Sequence, residues 1–134
     1  MIKAKDDLVM VHEKIIELLP LGGIVLLRGD LASGKTTLVQ SFVTFLKLDV
    51  AATSPTFSVM NVYDNKVFHY DIYNEGTAKF IESGLLENLE EEGYHFIEWA
   101  DEKLEEILSL YGFESIMIEI TPVNSVREYH IHAA

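Results

Sequence analysis

The stretch Gly29-Asp30-Leu31-Ala32-Ser33-Gly34-Lys35-Thr36 constrains the fold more than any other, because it satisfies G-x-x-x-x-G-K-[S/T] at every fixed position. A loop of this spacing works between a buried strand and a helix. Its backbone N–H groups then converge on one concave space, and the positive end of the helix faces that space. Both flanks are present. Gly23-Ile24-Val25-Leu26-Leu27 is a continuous apolar run, the pattern of a strand covered on both faces. Leu38, Phe42, Phe45 and Leu46 recur at i, i+4, i+7 and i+8, the apolar stripe of a helix over residues 34–47. In that order the three pieces make a nucleotide-phosphate site, in which Lys35 reaches the β- and γ-phosphate oxygens and the Thr36 hydroxyl coordinates Mg²⁺.

The rest of the chain supplies a sheet for this loop. Residues 6–19 read as an amphipathic helix with Leu8, Val11, Ile15, Leu18 and Leu19 on one side and Asp6 or Asp7 as its cap. Alternation through Val59, Asn61 and Tyr63, an Asp64-Asn65 turn and a returning strand over 66–72 predict an antiparallel hairpin. A helix is expected over 76–89, with Gly84 its weak point. The run 87–92 holds Glu87, Glu90, Glu91 and Glu92, which read as a solvated helix end rather than a docking surface. Residues 94–99 and 115–120 read as strands around a helix over 101–110, Thr121-Pro122 as a turn, and 127–131 as a last short strand. The predicted architecture is one α/β domain over 1–134: a mixed, mainly parallel sheet flanked by helices, with ligands at the C-terminal ends of the strands.

Charge limits the partners. The net charge is −12 and the arginines are Arg28 and Arg127, so the surface repels a phosphate backbone and nucleic acid is expected to be held by a partner. Phosphotransferases clamp their phosphates with several cationic groups, which are scarce here. Without cysteine there is no thiolate metal site, disulfide or cysteine nucleophile. The N-terminus lacks the apolar run of a signal peptide and no stretch is long enough to cross a bilayer, so a cytoplasmic protein is expected.

Two strand ends carry an acid where burial would be costly without a cation or donor: Asp71, after Val67-Phe68-His69-Tyr70, and Glu98, after His95-Phe96-Ile97. The expected division is one metal acid and one residue that positions or deprotonates the attacking water; the spacing leaves open which is which. Thr53, Ser54 and Thr56 put hydroxyls around Pro55, as in a segment that senses a γ-phosphate or as a plain hydroxyl-rich start to a strand. The five histidines form no persuasive metal set and are expected to be structural or exposed.

Gly-Asp-Leu-x-x-Gly-Lys-Thr-Thr at 29–37, Ser-Pro-Thr-Phe at 54–57, His-Tyr-Asp-Ile-Tyr at 69–73 and Ile-Glu-Trp at 97–99 occur in this order. Together they resemble the TsaE (YjeE) family, over almost the whole chain. The resemblance implies a P-loop ATPase subunit needed for tRNA threonylcarbamoyladenosine synthesis at ANN-decoding tRNAs, working with TsaD and TsaB. It also implies that Gly29, Asp30, Leu31, Ala32, Ser33, Gly34, Lys35, Thr36 and Thr37 cradle ATP, that Thr36 and Glu98 hold Mg²⁺, and that Ser54, Thr56 and Asp71 face the γ-phosphate and water. Val126-Arg127 resembles the segment that closes over the nucleotide. Two positions depart from the family pattern: Ala32-Ser33 stands where Gly-Ala is usual, and Asn74 where arginine is usual.

Other P-loop classes fit less well. A small-molecule kinase needs an acceptor site and commonly an arginine-rich lid. A GTP switch needs Asn-Lys-x-Asp, and Asn65-Lys66-Val67-Phe68 lacks the acid.

Overall fold

The computed structural model describes residues 2–4, 8–29, 34–48, 60–64, 66–71, 84–99, 102–123 and 126–133, with backbone alone at 2–4, 60 and 85. In chain order these form β1 (Ile2–Ala4), α1 (Val9–Leu18), β2 (Gly23–Arg28), α2 (Lys35–Phe45), β3 (Met60–Tyr63), β4 (Val67–Asp71), α3 (Leu85–Asn88), β5 (Tyr94–Glu98), α4 (Glu102–Leu110), β6 (Ser115–Val123) and β7 (Val126–Ala133). The seven strands make one sheet in the order β1-β7-β6-β2-β5-β4-β3. Its centre, β4-β5-β2-β6, is parallel. Antiparallel pairs finish both sides, β3 on β4 and the β6–β7–β1 set.

Strand alternation divides the interior in two. Val25 and Leu27 of β2, Phe96 of β5 and Val67 of β4 pack with Val11 and Ile15 of α1 and Leu38, Val39, Phe42 and Val43 of α2. The residues between them, Ile24, Leu26, Ile97, Phe68 and Tyr70, pack with Leu104 and Leu108 of α4 and with Leu89. Both faces of the central strands are thus covered, which is why β2 is a continuous apolar run. Among the described residues no helix is long and apolar enough to cross a membrane.

The expected hairpin forms, with Lys66 N–H donating to Tyr63 O at 3.0 Å and Asp64 at φ 50°. Four details differ from expectation. Leu8, not an aspartate, caps α1, with no side-chain hydrogen bond; Asp6 and Asp7 lie outside the described residues. Of the helix expected over 76–89 the described part is α3, and Gly84 (φ 81°) is its N-cap rather than an interior weakness. Thr121 and Pro122 belong to β6 and pair with Glu128 and Arg127, so they are strand and not turn. The ladder between β2 and β6 ends at Arg28↔Glu119, so beyond it the missing N–H of Pro122 breaks nothing on that side. Finally, residues 2–4 form a strand, paired to β7 through Ile2↔Tyr129 and Ala4↔Arg127.

Candidate functional site

The C-terminal ends of β2, β5 and β4 lie level, with Leu27 opposite Glu98 and Glu98 opposite Asp71. Period-two alternation puts Phe96 and Glu98 on the α2 face of β5, and Val67, His69 and Asp71 on the same face of β4. β2 ends on this edge at Arg28, and α2 follows in the chain from Lys35.

Gly34 caps α2 at φ 103°, ψ 20°, a backbone state that glycine adopts freely and side-chain-bearing residues rarely do. A Cβ there would stand 2.6 Å from Arg127 Nη1 and 2.8 Å from its Cζ, so the guanidinium lies directly against the loop. Arg127 comes from β7, across the sheet. Burial pushes the hydroxyl pKa of its strand neighbour Tyr129 up, and the positive charge of Arg127 draws it partly back. Arg28 points to the other face and ion-pairs with Glu105 of α4 at 3.3 Å.

Lys35 is buried, and its ammonium donates to Gly29 O at 2.6 Å. The same Nζ stands 3.9 Å from the centroid of the Trp99 ring. Trp99 is a non-glycine residue at φ 67°, tied by its N–H to Leu27 O at 3.3 Å, so a strained backbone carries the indole that meets the lysine.

Thr36 Oγ1 donates to Glu98 Oε2 at 2.9 Å, and His69 Nε2 donates to that same oxygen. Glu98 is only 4% exposed. Burial alone would raise its carboxyl pKa. The His69 hydrogen bond and charge, the Thr36 hydrogen bond and the Lys35 charge together outweigh burial and hold it below the ordinary value. The carboxylate is therefore kept ionised beside the Thr36 hydroxyl. Asp71 is exposed, one strand over at the level of Glu98, and Thr37 is exposed on the first turn of α2. Asp30, Leu31, Ala32 and Ser33, the Thr53, Ser54 and Thr56 hydroxyls, and Asn74 lie outside the described residues.

A profile of the family described as "Threonylcarbamoyl adenosine biosynthesis protein TsaE" matches residues 2–129. The chain belongs to the TsaE family. A Nostoc protein named tRNA threonylcarbamoyladenosine biosynthesis protein TsaE is 34% identical over 122 residues, covering 81% of this chain and 75% of that protein. A Synechocystis protein of the same name is 40% identical over 70 residues, spanning 50% of this chain and 45% of its own length. The crystal structure of Bacillus subtilis YdiB superposes with a TM-score of 0.62 at 26% identity, covering 98% of this chain and 84% of that one. The mixed sheet with its helical layers is the P-loop NTPase-like fold of TsaE proteins.

Of the residues singled out in this TsaE-family sequence, the fold brings together Gly29, Gly34, Lys35, Thr36, Asp71, Glu98 and Arg127. Of the histidines, expected to be structural or exposed, His69 is the one that meets a candidate site acid. His12 and His95 are buried structural groups, and His130 and His132 face Glu128 and Glu119, but His69 enters the site through Glu98. The signal was its i, i+2 relation to Asp71 on a strand.

The donor set also bears on metal choice. Among the described residues there is no cluster of three or more histidine, aspartate or glutamate side chains that could hold an ion. One hydroxyl and one carboxylate beside a phosphate loop fit Mg²⁺, which keeps waters and shares its shell with substrate phosphates, better than an ion needing a full protein cage.

Proposed function

We propose that this TsaE-family chain is a Mg²⁺-dependent ATPase subunit of the assembly that makes threonylcarbamoyladenosine in ANN-decoding tRNAs, working in the cytoplasm with TsaD and TsaB. The observation that carries the reading is the convergence of Lys35, the Thr36–Glu98 hydrogen bond and the Arg127 guanidinium on one loop. The names of the relatives supply the pathway.

Without nucleotide, Lys35 rests on Gly29 O and the indole of Trp99. ATP offers it phosphate oxygens instead, a stronger charge-assisted partner than a carbonyl. The Thr36 hydroxyl donates a hydrogen bond to Glu98, which leaves the lone pairs of its oxygen for a cation. Thr36 and Glu98 would hold Mg²⁺, which would offset the negative charge that develops on the phosphate oxygens. Glu98, already accepting from Thr36 and His69, is the metal-side acid. Asp71, exposed beside it, is left to orient or deprotonate the attacking water; Thr56 takes a place near the γ-phosphate in the same proposal. Among the described residues Arg127, against Gly34, is the cation that joins Lys35 at the site, and the transition state is expected to be completed by partner residues. Hydrolysis alone is accordingly slow.

With a net charge of −12 the chain reaches tRNA only through its partners. The test is capture of TsaD and TsaB by the wild-type chain with ATP, ADP or no nucleotide, with turnover measured in the same samples. Capture is expected to depend on the nucleotide, and turnover to rise in the complex. Equal capture in all three states, or wild-type turnover by Lys35→Ala, refutes the reading.

A further inference from the structure

We propose that His69 is a positioning residue, holding the Glu98 carboxylate in the orientation that accepts the Thr36 proton and so presents the Thr36 oxygen to the cation. The inference rests on the nucleotide–metal reading of the site and goes beyond it, because the contact His69 makes is with the acid rather than with the phosphate loop.

A glutamate at a strand end has three side-chain torsions, and one hydrogen bond leaves its carboxylate free to swing. Here two donors from two different elements meet on one oxygen. Thr36 Oγ1 comes from the first turn of α2 and His69 Nε2 from the adjoining strand β4. Both side chains of the His69–Glu98 pair are almost completely buried, at 7% and 5% exposure, so water cannot readily replace the imidazole. The placement follows from register. His69 pairs with Phe96 and Asp71 with Glu98 in parallel strands, so His69 is set one pleat back on the face that carries Glu98. From there a ring nitrogen reaches forward to a carboxylate that a shorter side chain would miss. Hydrogen-bond partners of metal-side carboxylates commonly set metal affinity without touching the ion.

Three variants separate positioning from packing. His69→Ala removes the ring, His69→Phe fills the volume without a donor, and His69→Gln restores an N–H of similar reach. Each is titrated with fluorescent N-methylanthraniloyl-ADP, first in EDTA and then against rising Mg²⁺, alongside ATP turnover and thermal melts. The Ala and Phe variants are expected to keep wild-type affinity in EDTA while needing about 10–100-fold more Mg²⁺ for the half-maximal effect. The Gln variant is expected to recover most of that loss.

A wild-type Mg²⁺ midpoint in the Ala and Phe variants overturns the proposal. So does an EDTA affinity that falls in step with the midpoint, or a Gln variant no better than Phe. Should Ala and Phe fail to melt cooperatively, the Gln variant decides: a midpoint near wild type supports positioning, and one shifted about tenfold or more overturns it. If wild-type protein binds the probe with no response to Mg²⁺, the metal reading of the whole site fails and the role of His69 fails with it. A wild type that responds, with variants that respond identically, removes His69 alone.

Discussion

Gly34→Ala tests the contact between the loop and Arg127 and separates two costs. The first is backbone strain. At φ 103° an L-residue sits well outside its comfortable regions, which costs about 1–3 kcal/mol. For 134 residues, unfolding entropy at roughly 2.1 cal/mol/K per residue comes to about 280 cal/mol/K, so Tm should fall by roughly 4–11 °C. The second is steric. The new Cβ would lie 2.6 Å from Arg127 Nη1, and the guanidinium must retreat by about 0.8 Å to reach ordinary contact near 3.4 Å. A guanidinium ends a flexible chain, so this retreat adds little to the loss of stability; its consequence is displacement of the arginine from the loop. The two costs therefore have different signatures in a cycle with Arg127→Ala. Because the flexible guanidinium relieves the clash cheaply, melting curves should show coupling at the low end of that for touching residues, about 0.5 kcal/mol. Titration with a fluorescent ADP should show the opposite: Arg127→Ala weakens binding in the parent but adds nothing in the Gly34→Ala background, where the new methyl has already moved the guanidinium. If Arg127→Ala restores most of the lost Tm, the strain account is wrong. If it weakens nucleotide binding equally in both backgrounds, Arg127 does not act at Gly34.

Lys35→Ala should weaken nucleotide binding by about 10–150-fold, the worth of a charged hydrogen bond of 1.5–3 kcal/mol, and undiminished affinity removes the lysine from the site. Because Trp99 is the sole tryptophan and meets Lys35 Nζ, nucleotide should change tryptophan emission in the parent and not in Lys35→Ala; equal changes in both refute the exchange of partners. Glu98→Ala should cut Mg²⁺-dependent turnover far more than nucleotide affinity in EDTA, and wild-type turnover excludes it as the metal-side acid. His95 gives a pH prediction. Burial lowers its pKa, outweighing the Glu91 carbonyl and charge that act to raise it. As pH falls below the usual imidazole value of about 6.5, the unfolded chain takes up the proton first. Stability is thus complete above that pH and declines below it until the lower folded pKa is passed. Tm measured from pH 7.5 to 5.5 should fall more steeply in the parent than in His95→Gln, and parallel profiles contradict the assignment.

The phosphate loop and its two acids were legible because central parallel strands, covered on both faces, write themselves as apolar runs that end in a conspicuous polar residue. Arg127 was legible through resemblance alone, since no spacing relates a residue of β7 to Gly34. The strand at 2–4 was invisible for a related reason: three residues carry no periodicity, and their pairing partners stand at the other end of the chain. Pro122 was read as a turn because the sequence cannot reveal that β2 has already ended where the proline falls. The contact of His69 was not legible because no spacing in the sequence relates it to Glu98, the carboxylate on the next strand.

Alternation in β4 has a consequence for how such a chain can change. One residue along from His69 and Asp71, on the opposite face, Tyr70 donates its hydroxyl proton to His95 Nδ1 at 2.7 Å and accepts from Asn88 at 2.9 Å, and His95 Nε2 donates to Glu91 O at 2.7 Å. That chain of bonds ties the glutamate-rich turn to the sheet. A single-residue insertion or deletion within β4 would exchange the two sets, sending Tyr70 toward α2 and His69 into the apolar layer under α4. The register of β4 and β5 that sets Glu98 beside His69 and Asp71 therefore tolerates no such change in count.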